Sequence, residues 1–182
     1  MIHNFRRRMA LGLGAGAVAV AAVTGVAVTA SAAEPVAKPQ TATVAKSNVV
    51  ANPSLDLDAA LRAAEATVKA AEKGGHRVTV VVLDRSGTVQ VQLKGDGAGP
   101  QTAESAHRKA FTAVSFGQPT SALAGRVTGA GATLRDIPGT LFLGGGVPVS
   151  ADGQVVGAIG VGGAPSGDLD EQYANAGAAA LR

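Results

Sequence analysis

An apolar segment near the start of the chain limits what the remainder can fold into. Residues 9–30 carry no charge, three arginines precede them at positions 6–8, and small residues follow at Ala30 and Ala32. This order of positive, apolar and small-residue regions predicts a secretion signal that is cleaved near Ala32. The alternative is a transmembrane anchor, because about 20 apolar residues can span a bilayer. The segment is mostly Ala, Val and Gly, with only two leucines, which favours the cleaved signal.

The adjacent arginines also favour the twin-arginine export route. That route carries proteins that have already folded, often with a cofactor in place. Met9, Ala10 and Leu11 stand where the twin-arginine signal prefers Phe and Leu, so the general secretory route stays open as well. Either route predicts a secreted, extracellular protein.

Loss of residues 1–32 changes the composition of the part that folds. This segment contains three arginines and no acidic residue, so the remainder has 13 basic and 13 acidic residues. A balanced charge argues against a nucleic-acid partner or a membrane surface as partner. The chain has no cysteine, so an exported domain of this size has to be stabilised by packing or oligomerisation instead of disulfides.

The remaining pattern predicts a flexible linker over residues 33–53 and one domain over residues 54–182. Helices are predicted where apolar residues recur every three or four positions, and strands where β-branched or alternating runs occur. The predicted elements are a helix at 55–73 with Ser54 as N-cap, a hairpin of strands 77–83 and 88–93, helices at 101–116 and 119–130, strands at 140–143, 147–149 and 154–161 with a turn at Asp152-Gly153, and a helix at 168–181. We therefore predict an α/β (α+β) fold, with a mainly antiparallel sheet of about five strands flanked by helices in three α/β/α layers.

Two residues of the second predicted helix form a candidate metal site. Glu104 and His107 lie one helical turn apart, and a carboxylate with an imidazole can share an ion such as iron. The alternative is a solvated helix start in which Glu104 pairs with Arg108.

The glycine clusters and the serines do not support other kinds of site. The glycines at 144–146 and 160–163 lack the lysine and spacing of a phosphate-binding loop. They favour close backbone packing in the sheet or at an oligomer interface. No nucleophile-elbow motif supports a Ser-His-Asp triad, so no catalytic residue is assigned.

Four segments resemble the HbpS-like family of haem-binding or haem-degrading proteins, which is grouped with the GlcG proteins of the glycolate operon. They are VVVLDRSG at 80–87, KGDGAGP at 94–100, ESAHRKAFTAVSFGQPTS at 104–121 and LRDIPGTLFLGGGVPVSADGQVVGAIGVGGAPSGDLDEQYA at 134–174. The resemblance spans residues 55–182 in order. Together with the secretion signal it points to the secreted branch, typical of high-GC Gram-positive soil bacteria.

This resemblance implies a compact α/β/α unit that assembles into higher homo-oligomers, often octamers. For the secreted branch it implies haem binding, weak haem degradation, iron binding at the surface, and redox sensing beside a membrane sensor histidine kinase of a two-component system. Haem and iron are therefore the expected cofactors.

The resemblance also implies which residues contact haem. Thr140, in the intact PGTLFL segment, is expected on the iron side, although a neutral hydroxyl is a poor iron ligand beside His or thiolate. The alternative is an ordinary residue that starts a strand. Phe142 is expected to form an apolar wall, Arg135 to pair with a propionate, and Lys109 either to contact a propionate or to stay solvated.

The candidate iron site departs from the family pattern. The resembling family carries a second glutamate at the position of His107. The replacement either keeps an iron site with a softer ligand or weakens it, and the remaining ligands have to come from water or a neighbouring subunit.

The leading hypothesis is an extracellular haem-binding protein that sequesters or slowly degrades haem, binds iron and serves as an accessory redox or haem sensor for a membrane kinase. One alternative is an enzyme or binding protein for a small organic metabolite, related to the glycolate-operon proteins. A second alternative is a kinase-partner module in which haem binding is incidental.

Overall fold

The computed structural model describes residues 41–130 and 133–182. The predicted secretion signal and the first part of the predicted linker lie outside the described residues. Residues 41–54 are exposed along their whole length, with one turn of 3₁₀ helix at Lys46–Asn48. Among the described residues, no helix is long and apolar enough to cross a membrane.

A four-stranded antiparallel sheet forms the centre of the described part of the chain. Its strands are β1 (Thr79–Asp84), β2 (Val89–Lys94), β3 (Gly146–Ala151) and β4 (Gln154–Gly162). Their order is β2-β1-β4-β3, and each neighbouring pair is antiparallel. The predicted fold class is confirmed, with four strands instead of about five.

The difference lies in residues 140–143, which were expected to begin a strand. In the structure they are a loop, because their backbone groups are bonded to helix side chains. The Leu141 N–H donates to Thr112 Oγ1 at 2.8 Å, and the Thr140 carbonyl accepts from Arg108 Nη2 at 2.8 Å. The Leu141 N–H is therefore not available as a donor to a neighbouring strand.

Four helices cover the two faces of the sheet. They are α1 (Leu57–Lys73), α2 (Thr102–Phe116), α3 (Thr120–Leu123) and α4 (Gly167–Ala179). The helix expected over 119–130 is shorter, since α3 continues as a 3₁₀ turn at Ala124–Val127. The N-cap of α1 is Asp56, whose carboxylate accepts from the Ala59 N–H at 2.7 Å, and not the expected Ser54.

The strands alternate their side chains between two apolar clusters, as the two-residue period requires. Val80 and Val82 of β1 pack with α1 and α4 on one face. Val81 and Leu83 pack on the other face with the alanines of α2. The three α/β/α layers predicted from the sequence are therefore present.

Helix α2 rests directly on the backbone of β4. A Cβ atom at Gly160 would overlap the Ala106 carbonyl oxygen, and one at Gly162 would lie 2.8 Å from the Thr102 carbonyl oxygen. These two glycines therefore allow close backbone packing between the sheet and α2, whereas the sequence predicted such packing within the sheet or at an oligomer interface. The hairpin turn predicted at Asp152-Gly153 is also found, with φ angles of 50° and 75° that suit a two-residue hairpin turn.

We predict that Gly160→Ala destabilises the fold by about 3 kcal/mol, because the added methyl group meets helix backbone that cannot move aside. The free energy of unfolding in urea measures this effect. Gly125→Ala is the matched control, since nothing lies within 4 Å of the added Cβ there, and its change should stay within about 1 kcal/mol. Equal effects of the two substitutions would contradict the direct packing of α2 on β4.

Candidate functional site

The segment that carries Thr140 is held against α2 by two side chains one helical turn apart. We refer to residues 137–143 as the 137–143 loop. Arg108 Nη2 donates to the Thr140 carbonyl at 2.8 Å, and Thr112 Oγ1 accepts from the Leu141 N–H at 2.8 Å. The Thr112 hydroxyl in turn donates to the Arg108 carbonyl at 2.8 Å. The backbone at the centre of the loop is therefore bonded to the side of α2.

The side chain of Thr140 points away from solvent. The residue is only 4% exposed, and its hydroxyl donates to the Ile137 carbonyl at 2.7 Å. Contact between this hydroxyl and an external ligand therefore requires the 137–143 loop to shift. The assignment of Thr140 as the residue on the iron side of haem stays a prediction.

The aromatic rings around the loop are partly packed inside the protein. Phe142 is buried, and its ring is tilted against that of Phe116 with centroids 5.8 Å apart. Phe111 lies beneath Gly139, where an added Cβ would be 3.5 Å from the ring. Ile137 and Leu143, at the two ends of the loop, are exposed. The accessible apolar surface of the loop is therefore at its ends.

Lys109 is buried in an ion pair, so the expectation of a solvated lysine is wrong. Its Nζ lies 2.6 Å from Asp170 Oδ2, and both side chains are 4% exposed. The other oxygen of Asp170 accepts from the Ala164 N–H at 3.0 Å. Burial raises the pKa of Asp170, and the Lys109 ammonium offsets part of that rise. Because the pair occupies Lys109, contact with a propionate would require it to break.

A cavity of about 430 Å³ opens beside this ion pair. Ser105 and Lys109 of α2 line one side of it. Gly144 and the loop over residues 163–168 line the other side, with Asp170 also in the wall. The cavity therefore combines a buried charge pair with polar side chains and backbone.

The candidate metal residues lie at the surface end of α2. The Glu104 side chain is 75% exposed, and its Oε1 is 4.0 Å from Arg108 Nε. The His107 ring is half-buried and stacks on Phe111, with centroids 6.5 Å apart and planes 8° apart. Over residues 41–130 and 133–182, no group of three or more His, Asp or Glu side chains is placed to hold a metal ion. Glu104 and His107 would thus need further ligands.

Arg135 lies outside the cluster formed by Glu104, Arg108 and Thr140. It belongs to the exposed 3₁₀ turn at Leu134–Asp136, and its Nη2 donates to the Gly129 carbonyl at 3.4 Å. Its expected role beside a propionate stays a prediction.

Arg108 is the site residue that the sequence did not identify as a ligand contact. Its Nε is buried and finds no hydrogen-bond partner among the described residues, while the side chain as a whole is 40% exposed. The sequence suggested Arg108 only as an ion-pair partner of Glu104. The sequence shows only that Arg108 lies one helical turn before Thr112. Their shared role depends on the 137–143 loop, to which both side chains are bonded and which lies about 30 residues later in the chain.

The residues around the 137–143 loop fit a haem group in their chemistry. A haem presents a large apolar ring and two carboxylates, so its site needs apolar surface beside a cation. Ile137 and Leu143 supply exposed apolar surface. Arg108 supplies a cation whose Nε lacks a hydrogen-bond partner within the described residues.

We predict that Lys109→Met lowers the free energy of unfolding by about 3–5 kcal/mol at pH 7, because it leaves the Asp170 carboxylate buried without its cation. The double variant Lys109→Met/Asp170→Leu should recover most of this loss. A buried, unpaired Asp170 has a folded pKa above its unfolded value of about 3.9. The cost of burying its charge is therefore fully present only when the pH is above the folded pKa. The deficit of Lys109→Met should therefore shrink as the pH falls through that pKa. Urea unfolding at several pH values tests this, and a deficit that grows on acidification would contradict it.

Comparison with known proteins agrees with the fold. The family model described as haem degrading protein HbpS-like matches residues 55–179. A crystal structure of a Streptomyces reticuli HbpS double mutant is 57% identical, with a TM-score of 0.74, and the match covers 81% of this chain and 99% of that one.

Two solved structures are more distant. Protein ORFY of Klebsiella pneumoniae is 26% identical, with a TM-score of 0.68 and coverage of 77% of this chain and 97% of that one. A PduOC:heme complex is 27% identical, with a TM-score of 0.65 and coverage of 70% and 94%. The comparison with curated proteins gave no match. The chain belongs to the haem-degrading HbpS-like family, and its function is haem-related.

Proposed function

We propose that this protein is an extracellular haem-binding protein that sequesters or slowly degrades haem. The observation that carries the proposal is the setting of the 137–143 loop. Its exposed ends, Ile137 and Leu143, offer apolar surface, and Arg108, bonded to the loop, has a buried Nε that no described residue satisfies. Family membership supports the same reading.

Each residue of the site has a separate role in this proposal. Arg108 binds a carboxylate of the ligand, and the apolar ends of the loop cover part of the ring. Thr140 provides a neutral hydroxyl on the iron side, and a hydroxyl is a weak ligand compared with imidazole or thiolate. Haem, when bound, supplies a redox-active iron. Weak ligation suits a protein that takes up and releases haem more than one that carries electrons.

The proposal extends to location and partners. The order of positive, apolar and small residues at the N-terminus supports export, by the general or the twin-arginine route. The resemblance to the secreted branch supports a homo-oligomer, with an octamer as the expected size. It also supports a membrane sensor histidine kinase as the partner that reads haem or redox status.

Iron binding at Glu104 and His107 is a further part of the proposal. One carboxylate and one imidazole at the surface of α2 provide oxygen and nitrogen ligands that suit iron. Arg108 lies 4.0 Å from Glu104 and competes electrostatically with a cation there. Iron binding by one subunit alone is therefore weak.

A second candidate function is the binding of a small organic metabolite. The cavity of about 430 Å³ beside Lys109 and Asp170 favours it, because the volume suits a small polar molecule. Calorimetric titration of haem-free protein with small hydroxy acids would detect such binding. Binding of hemin without binding of these acids would favour the haem function.

We predict that stoichiometric hemin gives a shifted Soret band with the wild type and with Thr140→Ser, which keeps the hydroxyl. Thr140→Val removes the hydroxyl at nearly constant volume and should lose or displace this band. A titration followed by absorbance measures the difference, and Thr128→Val serves as an exposed control. Absence of any shift with the wild type would contradict haem binding, whereas an unchanged Thr140→Val spectrum would contradict only the role of Thr140.

We predict that His107→Glu strengthens iron binding by about tenfold, or about 1.4 kcal/mol, because it places a second hard oxygen ligand one turn from Glu104. Equilibrium dialysis with ferric iron measures the affinity. The added substitution Glu104→Gln should abolish the gain, since it removes the first carboxylate. A gain that survives Glu104→Gln would place the iron elsewhere.

A further inference from the structure

We infer that Arg108 is the residue that binds a haem propionate, and that the same side chain couples this binding to the position of the 137–143 loop. This rests on the proposed haem binding and goes beyond it, since it names the cation that recognises the ligand's carboxylate and a way to release Thr140.

The guanidinium of Arg108 is only partly hydrogen-bonded. Nη2 donates to the Thr140 carbonyl at 2.8 Å. Nε is buried and lacks a hydrogen-bond partner among the described residues, with the nearest carboxylate oxygen, that of Glu104, at 4.0 Å. A buried donor without a partner is unfavourable. A carboxylate that reaches Nε would satisfy this donor, and the planar guanidinium favours a bidentate contact.

The other two cations expected to bind a propionate already have partners in the fold. Lys109, the next residue of α2, is held by Asp170 at 2.6 Å and is 4% exposed. Arg135 donates to the Gly129 carbonyl from an exposed turn. Arg108, in contrast, is 40% exposed and touches the loop that carries Thr140. It is therefore the cation best placed to bind a carboxylate at this loop.

Two side chains of α2 hold the backbone of the 137–143 loop. Arg108 holds the carbonyl of Thr140, and Thr112 holds the N–H of Leu141. When a carboxylate draws the guanidinium away, the Thr140 carbonyl loses its bond while the Leu141 bond remains. The loop then keeps its Leu141 bond to Thr112 and the packing of Phe142 on Phe116, while the segment before Leu141 is released. This movement exposes the Thr140 hydroxyl, which is buried while Arg108 holds the loop.

The experiment compares hemin with hemin dimethyl ester, which has the same iron and ring but no carboxylates. Both are titrated, under identical detergent conditions, into the full mature chain and three variants. The wild type should bind hemin about tenfold more tightly than the ester, as expected for one lost charge-assisted contact. Arg108→Gln should bind the two equally, and the control Arg62→Gln, which changes an exposed arginine of α1 on the other face of the sheet, should keep the preference.

The loop is tested separately in haem-free protein by hydrogen–deuterium exchange. Arg108→Gln should speed exchange in the peptide that contains residues 137–143, while Arg62→Gln should leave it unchanged. Arg108→Lys keeps the charge but not the planar fork, so it should keep only part of the preference for hemin. Arg108→Lys also provides a second variant if Arg108→Gln folds poorly. A preference for hemin over the ester that both variants retain in full would overturn the inference.

The outcomes separate the two proposals. Wild-type protein that binds neither hemin nor its ester overturns haem binding and the role of Arg108 together. Wild-type protein that binds both, with a preference for hemin that persists in Arg108→Gln, overturns the role of Arg108 and leaves haem binding intact. Loop exchange that is unchanged in Arg108→Gln overturns the coupling.

Discussion

The buried ion pair between Lys109 and Asp170 joins α2 to α4, and the side chains of α2 that face the 137–143 loop lie next to it. An α-helix has 3.6 residues per turn, so consecutive side chains point about 100° apart. Because Lys109 is directed inward to Asp170 of α4 at 2.6 Å, Arg108 is turned out of the core towards the 137–143 loop. Thr112, one turn later, lies on the same side. An ion pair that belongs to the core thus decides which side chains meet the loop.

Small residues make this arrangement sterically possible. Gly146 lies against the Lys109 backbone, and a Cβ at Gly145 would be 2.7 Å from Asp170 Cβ and 3.0 Å from Lys109 Nζ. On β4, Gly160 allows the same approach next to Ala106. Both side chains of the ion pair are only 4% exposed, which makes the pair costly to break on one side only. Packing and electrostatics therefore act on the same short stretch of α2.

The parts of the structure that the sequence predicted depend on local signals. The period of apolar residues identified α1, α2 and α4, and Asp152-Gly153 identified a hairpin turn. The strand predicted over residues 140–143 is wrong because the hydrogen-bond partners of this segment, Arg108 and Thr112, lie about 30 residues earlier in the chain. Periodicity carries no information about such partners. The burial of Lys109 was missed for the same reason, since Asp170 is 61 residues away.

In the proposed haem site, Thr140 would contribute only a neutral hydroxyl, so little of the binding free energy would come from iron ligation. Most of it would come from apolar contact and from a charge-assisted bond to Arg108. Such a site would distinguish ligands by their carboxylates more than by their metal. Its selectivity would then depend on the placement of Arg108, which lies next to the buried Lys109 on α2.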